Sequence, residues 1–185
     1  MKKLIQIQFA ATLAAALCMG GLASGQTSEV SAEASKAPSV RVAPATADAS
    51  LLPDPKSLPP DAAAFVYYFR IQVALSQDSL TNVALNALAL AEVVRKDTTG
   101  FPAQLADQAI GLARDAVTLP GARLAFAVVT AQLMNYLKTR NPPVDLGPIH
   151  LVHDPVTKLY WLQTGDLVQN PYLGKSWRLR GAYVR

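Results

Sequence analysis

The chain predicts a mainly α fold: an antiparallel four-helix bundle with a small C-terminal β-hairpin, or short strands, packed on it. Three observations lead there. Between residues 61 and 140, four segments of about 15–20 residues carry apolar side chains at helical spacing. Short breaks built on Pro and Gly separate them, as in bundles whose neighbouring helices run antiparallel. After Pro143 the pattern changes to short, β-prone runs divided by Asp-Pro, Thr-Gly-Asp and Asn-Pro.

What precedes the helices reads as export and tether. Lys2 and Lys3 open the chain, Leu4 to Leu22 carries no charge, and Ala23-Ser24-Gly25 supplies small residues for a processing protease, so residues 1–25 are expected to be a signal peptide cleaved before Gln26. Gln6 and Gln8 weaken the apolar run as a permanent span, so cleavage is favoured over the alternative of a retained anchor, and no transmembrane span is expected after cleavage. Cys18, the single cysteine, follows Leu17 rather than the small residue a lipid-attachment site requires. The exported chain would therefore hold no disulfide and no thiolate metal site. Removing Lys2 and Lys3 from 17 basic side chains leaves 15 against 13 acidic ones, a balance that calls for neither nucleic acid nor an anionic surface. Residues 26–58 are rich in Ala, Ser, Thr and Pro with few large apolar side chains, and read as a disordered tether before a domain spanning 59–185.

The first helix is expected from Asp61, with Tyr68, Ile71 and Leu75 on its apolar side, and Arg70 and Gln72 marking a wetter one. Asp78 or Ser79 offers an N-cap for a second helix, in which Val83, Ala87, Leu90 and Val94 share a face. Pro102 suits the first turn of a third, striped by Leu105, Ala109, Leu112, Ala116 and Leu119. "LPG" breaks the chain at 119–121, and a fourth helix follows with Phe126, Val129, Leu133 and Tyr136 in register. Many core positions are alanine, so the aromatics of the first and fourth helices should supply the largest buried areas. The β-prone tail is too small to fold alone and should lie on the helices through Tyr160, Trp161 and Leu162.

Two patterns stand out. "RLAF" sets Arg123 three residues before Phe126, and "YWLQTGDLVQNPYLG" supplies Trp161, Leu162, Asn170, Pro171, Tyr172 and Gly174, with Gly181 beyond. At these residues the chain resembles the periplasmic helical domain of unknown function that occurs alone or at the C-terminus of copper-type heavy-metal efflux membrane-fusion proteins. The likeness covers roughly residues 61–185. It implies an exported helical domain working near metal efflux, with an envelope or efflux-system protein as partner. The family pattern also carries Cys-Pro-Met, a later Met and a Cys-Gly, soft ligands suited to Cu(I). This chain has "IHLVHDP", Trp177 and Arg180 in those places. Asn-Pro-Tyr-x-Gly therefore reads as a turn that docks the tail: Pro fixes a backbone angle, Gly permits a turn, and Tyr packs with its hydroxyl paired.

His150 and His153, the only histidines, could form a Zn²⁺ or Cu²⁺ site with Asp154, since imidazole and carboxylate suit both ions. On a strand, however, residues three apart point to opposite faces. Met134 reads as core filler. Lys175, Arg178, Arg180 and Arg185, interleaved with Trp177 and Tyr183, read either as a surface for an acidic partner or phosphate, or as charges that solvate an edge strand. No nucleophile elbow, zinc-protease motif or phosphate-binding glycine loop is present, and Asp107, Arg114 and Asp115 have the spacing of solvated helix charges. The sequence thus points to an exported, non-enzymatic binding or interaction module of the cell envelope, with metal carriage by the histidines as the alternative.

Overall fold

The computed structural model describes residues 52–97, 100–140 and 146–184. The expected signal peptide with Cys18, the expected tether up to residue 51, Pro142, Pro143 and Arg185 lie outside them. Four helices, α1 (Pro60–Ser76), α2 (Val83–Lys96), α3 (Leu105–Asp115) and α4 (Leu119–Leu137), precede three strands, β1 (Ile149–His153), β2 (Tyr160–Thr164) and β3 (Ala182–Tyr183). The strands form one antiparallel sheet in the order β2–β1–β3. The tail is thus a three-stranded sheet rather than a lone hairpin. Beyond Gly181 the chain returns along the free edge of β1, where the Val184 N–H bonds the Leu151 carbonyl at 2.9 Å. Among the described residues no helix is long and apolar enough to cross a membrane.

Successive helices pack side by side, and β2 lies against both α1 and α4. This placement explains why α1 is apolar on nearly every side: twelve of its residues, Ala62 through Ser76, are buried. The predicted stripes of α2 and α4 are buried throughout, as are Leu105, Ala109 and Leu112 of α3, whereas Ala116 and Leu119 are only partly covered. Aromatic rings fill the space between α1 and α4. Tyr68 stacks on Phe126 at 4.8 Å, and Tyr136 meets Phe65 at 6.1 Å and Phe101 at 4.3 Å.

Five local expectations change. Pro102 lies ahead of α3, whose N-cap is Gln104, rather than in its first turn. Gln72 does not mark a wet side; it is buried, and its amide donates to the Gln169 carbonyl of the tail. The folded region starts before residue 59: Pro55–Ser57 forms a 3-10 turn with Pro55 buried, Leu52 packs on the core, and Arg70 bonds the Pro53 carbonyl. Neither Asp78 nor Ser79 caps α2, which starts at Val83 behind a left-handed Asn82. Asp78 is turned toward the tail instead. Finally, "LPG" opens α4 rather than breaking the chain before it: Thr118 is the N-cap, accepting from the Gly121 N–H at 3.2 Å, and Pro120 sits in the first turn, where no N–H is needed.

Candidate functional site

The terminal segment is fixed at three joints: two use polar atoms that the helical stretches carry into the interior, and the third ties the segment to itself. The first is the outer edge of β2. Among the described residues this strand has only β1 as a strand neighbour, so its outward backbone groups need other partners. The Leu162 N–H donates to the Tyr68 hydroxyl at 3.0 Å, Tyr68 lies 2.9 Å from Thr130 Oγ1, and Thr130 donates to the Phe126 carbonyl at 3.0 Å. Because Thr130 spends its only proton on Phe126, Tyr68 must be the donor to Thr130. The chain of bonds therefore has one direction, from sheet to α1 to α4. Further along the same strand the Tyr172 hydroxyl donates to the Tyr160 carbonyl at 2.7 Å. Burial pushes the Tyr68 phenol far above its usual pKa, and burial, reinforced by neighbouring Tyr68, does the same to Tyr172.

Arg123 makes the second joint. Its Nε donates to the Pro171 carbonyl at 2.8 Å, and Nη2 donates to the Leu75 carbonyl at 3.2 Å and to the Asp78 carboxylate. Asp78 in turn accepts from the Lys175 N–H at 2.9 Å. That backbone bond, then the Arg123 guanidinium, holds the Asp78 carboxyl below its usual pKa. Gly174 (φ 75°) lies directly on Asp78, so a Cβ there would run into the carboxylate. One turn below Arg123 on α4, Phe126 meets the Tyr172 ring at 6.0 Å. The three-residue spacing of Arg123 and Phe126 thus lets one helix face grip both the backbone and the ring of the Asn-Pro-Tyr turn.

Asn170, fully buried, ties the third joint. Its Oδ1 accepts from the N–H groups of Tyr172 (2.8 Å) and Leu173 (3.3 Å). Its Nδ2 donates to the Arg180 carbonyl (2.9 Å) and to Asp154 (3.3 Å). Asp154 also accepts from Val156 N (2.9 Å) and the Thr157 hydroxyl (3.0 Å), with Arg180 at 3.5 Å. Burial draws the Asp154 carboxyl upward, but these bonds and the arginine outweigh it and keep the pKa below the usual value. Beside this knot, Trp161 is wholly buried, donates to Gln163 Oε1 at 3.0 Å, and meets Tyr172 edge to face at 6.1 Å. Gly181 passes so close that an added Cβ would lie 2.5 Å from the Trp161 ring.

Arg123, Phe126, Leu162, Pro171, Tyr172 and Gly174 therefore belong to the joints between tail and helices, and Trp161, Asn170 and Gly181 to the knot within the tail. The three residues considered for a metal are not brought together. By register His150 pairs with Gln163 and His153 with Tyr160, which puts the histidines on opposite faces of β1. His150 packs edge-on against Tyr183 at 5.2 Å, while His153 lies over Tyr160 at 4.5 Å. Asp154 is committed to the Asn170 knot. Among the described residues no group of three His, Cys, Asp or Glu side chains is placed to hold an ion. The arrangement does not fit a Zn²⁺ or Cu²⁺ centre at these residues.

The knots leave the outer side of residues 174–181 on display. Residues 174–181 are fixed from within by backbone bonds: Lys175 N to Asp78, Trp177 N to the Gly174 carbonyl, Arg180 N to the Trp177 carbonyl, Asn170 N to the Arg178 carbonyl, and the Asn170 amide to the Arg180 carbonyl. Outward, Trp177 is 60% exposed and Leu179 55%. The Arg180 guanidinium sits 5.7 Å over the Trp177 ring. Tyr160, expected on the adhesive face, is 40% exposed, because only its carbonyl is needed at the joint.

The sequence reading missed Tyr68, Gln72, Asp78, Thr130, Gln163 and Gln169 as docking residues. A signal was present for Tyr68 and Gln72. Gln72 and Ser76 continue the face of Tyr68 at four-residue steps, and a polar row in so apolar a helix marks buried hydrogen bonding. Compared with family models, curated proteins and solved structures, the chain matches none.

Proposed function

We propose that this protein is an exported, non-enzymatic interaction module of the cell envelope, whose helices form an antiparallel four-helix bundle serving as scaffold for the terminal display segment. The resemblance in its Arg-x-x-Phe and Asn-Pro-Tyr-x-Gly patterns makes metal efflux the setting, without Cys or Met ligands of its own. One observation carries the reading. Five hydrogen bonds fix the backbone of residues 174–181 from the inside, while an indole and a leucine face outward. A rigid loop that presents large apolar side chains loses little entropy on binding, which is the economy of a preorganised contact surface.

The test is photo-cross-linking in cells, with a photoreactive phenylalanine at position 177 and, as control, at Leu85, which is 66% exposed on α2. The expected result is recovery of the chain with the envelope fraction and adducts, to lipid or protein, specific to position 177. Recovery from the cytosol, or equal adducts at both positions, overturns the proposal.

A further inference from the structure

Resting on that reading of the loop as the contact surface, we infer that its partner is the anionic face of a phospholipid bilayer. Lys175, Ser176, Trp177, Arg178, Leu179 and Arg180 curl around an open hollow of about 480 Å³. Its lining holds three cations and no carboxylate, and the sequence after Asp166 contains no acidic residue at all. The two acids that approach the loop, Asp78 and Asp154, are turned inward onto the Lys175 N–H and onto Asn170 with Arg180. Lys175 shares its charge with nearby Asp78, while no side-chain carboxylate is bonded to half-buried Arg178 among the described residues.

The apolar part has the matching form. Trp177 and Leu179 project from a turn flanked by cations. Indole and phenol rings favour the headgroup level of a bilayer, where an apolar body and a polar tip are both accommodated. Lys and Arg beside them meet lipid phosphates while their stems stay in the apolar layer. An acidic protein would be drawn by the same charges. A bilayer also explains the outward leucine and tryptophan on a projecting turn, because it needs no complementary pocket.

The two tryptophans make the test direct. Trp161 is fully buried and Trp177 is 60% exposed, so acrylamide-quenchable emission reports Trp177, and a Trp177→Phe variant confirms the assignment. The full chain is titrated with phosphatidylglycerol vesicles, phosphatidylcholine vesicles, inorganic phosphate and polyglutamate. Phosphatidylglycerol alone is expected to blue-shift Trp177 and protect it from acrylamide, with the effect reversed by about 0.5 M salt, where charge attraction is screened within a few ångströms. In Lys175→Ala/Arg178→Ala the lipid needed for half-maximal protection should rise about thirty-fold, from two lost surface charges, with an unchanged melting curve. Because the readout sits at Trp177, apolar insertion elsewhere in the chain does not imitate it. Equal protection by both lipids, protection by phosphate, or none by phosphatidylglycerol overturns the inference. Protection by polyglutamate alone, or protein-only adducts from position 177 in cells, would overturn the lipid assignment while leaving the interaction module standing.

Discussion

Replacing Tyr68 by Phe removes a single oxygen from the interior and leaves the ring free to stack on Phe126 as before. The lost atom both accepts from Leu162 N–H on β2 and donates to Thr130 on α4. Thr130 keeps its own bond to the Phe126 carbonyl, so its cost is one missing donor, about 1 kcal/mol. Leu162 N–H fares worse, because it lies in a fully enclosed region where water cannot replace the phenol. A stranded buried donor costs roughly 1–3 kcal/mol. The expected loss is about 3 kcal/mol, or roughly 10 °C in melting temperature for a folded unit of this size. Urea melts followed by far-ultraviolet dichroism and by Trp161 emission should show the same shift, since the hydroxyl joins sheet to helices. A Tyr68→Phe protein within about 1 °C of the parent would refute the one-directional chain of bonds.

Gly174→Ala should cost about 2–4 kcal/mol, from a backbone conformation that disfavours side chains together with the collision of its Cβ with Asp78; a melt within about 0.5 kcal/mol of the parent would contradict that packing. Stability should also fall at both ends of the pH range. Asp78 and Asp154 have depressed folded pKa values, so their contribution is complete above the ordinary carboxylate range near ~4 and is lost as pH falls below it. Tyr68 and Tyr172 are raised, so their contribution is intact below ~10 and is lost as pH rises past that value. Chemical denaturation from pH 2 to 11 checks both limbs, and an acid limb unchanged in an Asp78→Asn/Asp154→Asn variant would contradict the carboxylate assignment. For metals, calorimetric titration with Zn²⁺ and Cu²⁺ should reveal no sub-micromolar site that disappears in His150→Ala/His153→Ala, because the two rings face opposite sides of β1.

The helices were legible because their signal is repetitive. Val83, Ala87, Leu90 and Val94 recur at the helical period and all face the core, and the same holds for Phe126, Val129, Leu133 and Tyr136. The helix starts were less legible, since a capping residue can be claimed by a distant partner. Asp78 had the form of an N-cap for α2, yet Arg123 and the Lys175 N–H hold it. Pro120, which looked like part of a break, and Thr118 ahead of it are the residue types that open a helix. The expectation that the Asn-Pro-Tyr-x-Gly turn docks the tail is matched by its contacts with Arg123 and Phe126, because turn chemistry is local and the ring needs burial. Its receptors could not be located from spacing alone. Gln72 bonds a carbonyl 97 positions away, a separation that no periodicity encodes. The third strand was hidden for a similar reason: Ala182–Tyr183 is too short to show alternation and exists only because the edge of β1 is open.

Native-state hydrogen exchange of individual amides tests most directly whether the terminal segment is part of the folded body. The amides to follow are Leu162 N–H, bonded to Tyr68, and Asn170 N–H, bonded to the Arg178 carbonyl. Both should exchange as slowly as the central amides of α1 and α4, through the same global opening. Exchange at Leu162 and Asn170 many-fold faster than in those helices, with the helices still protected, would show a tail that comes and goes, and would contradict the account.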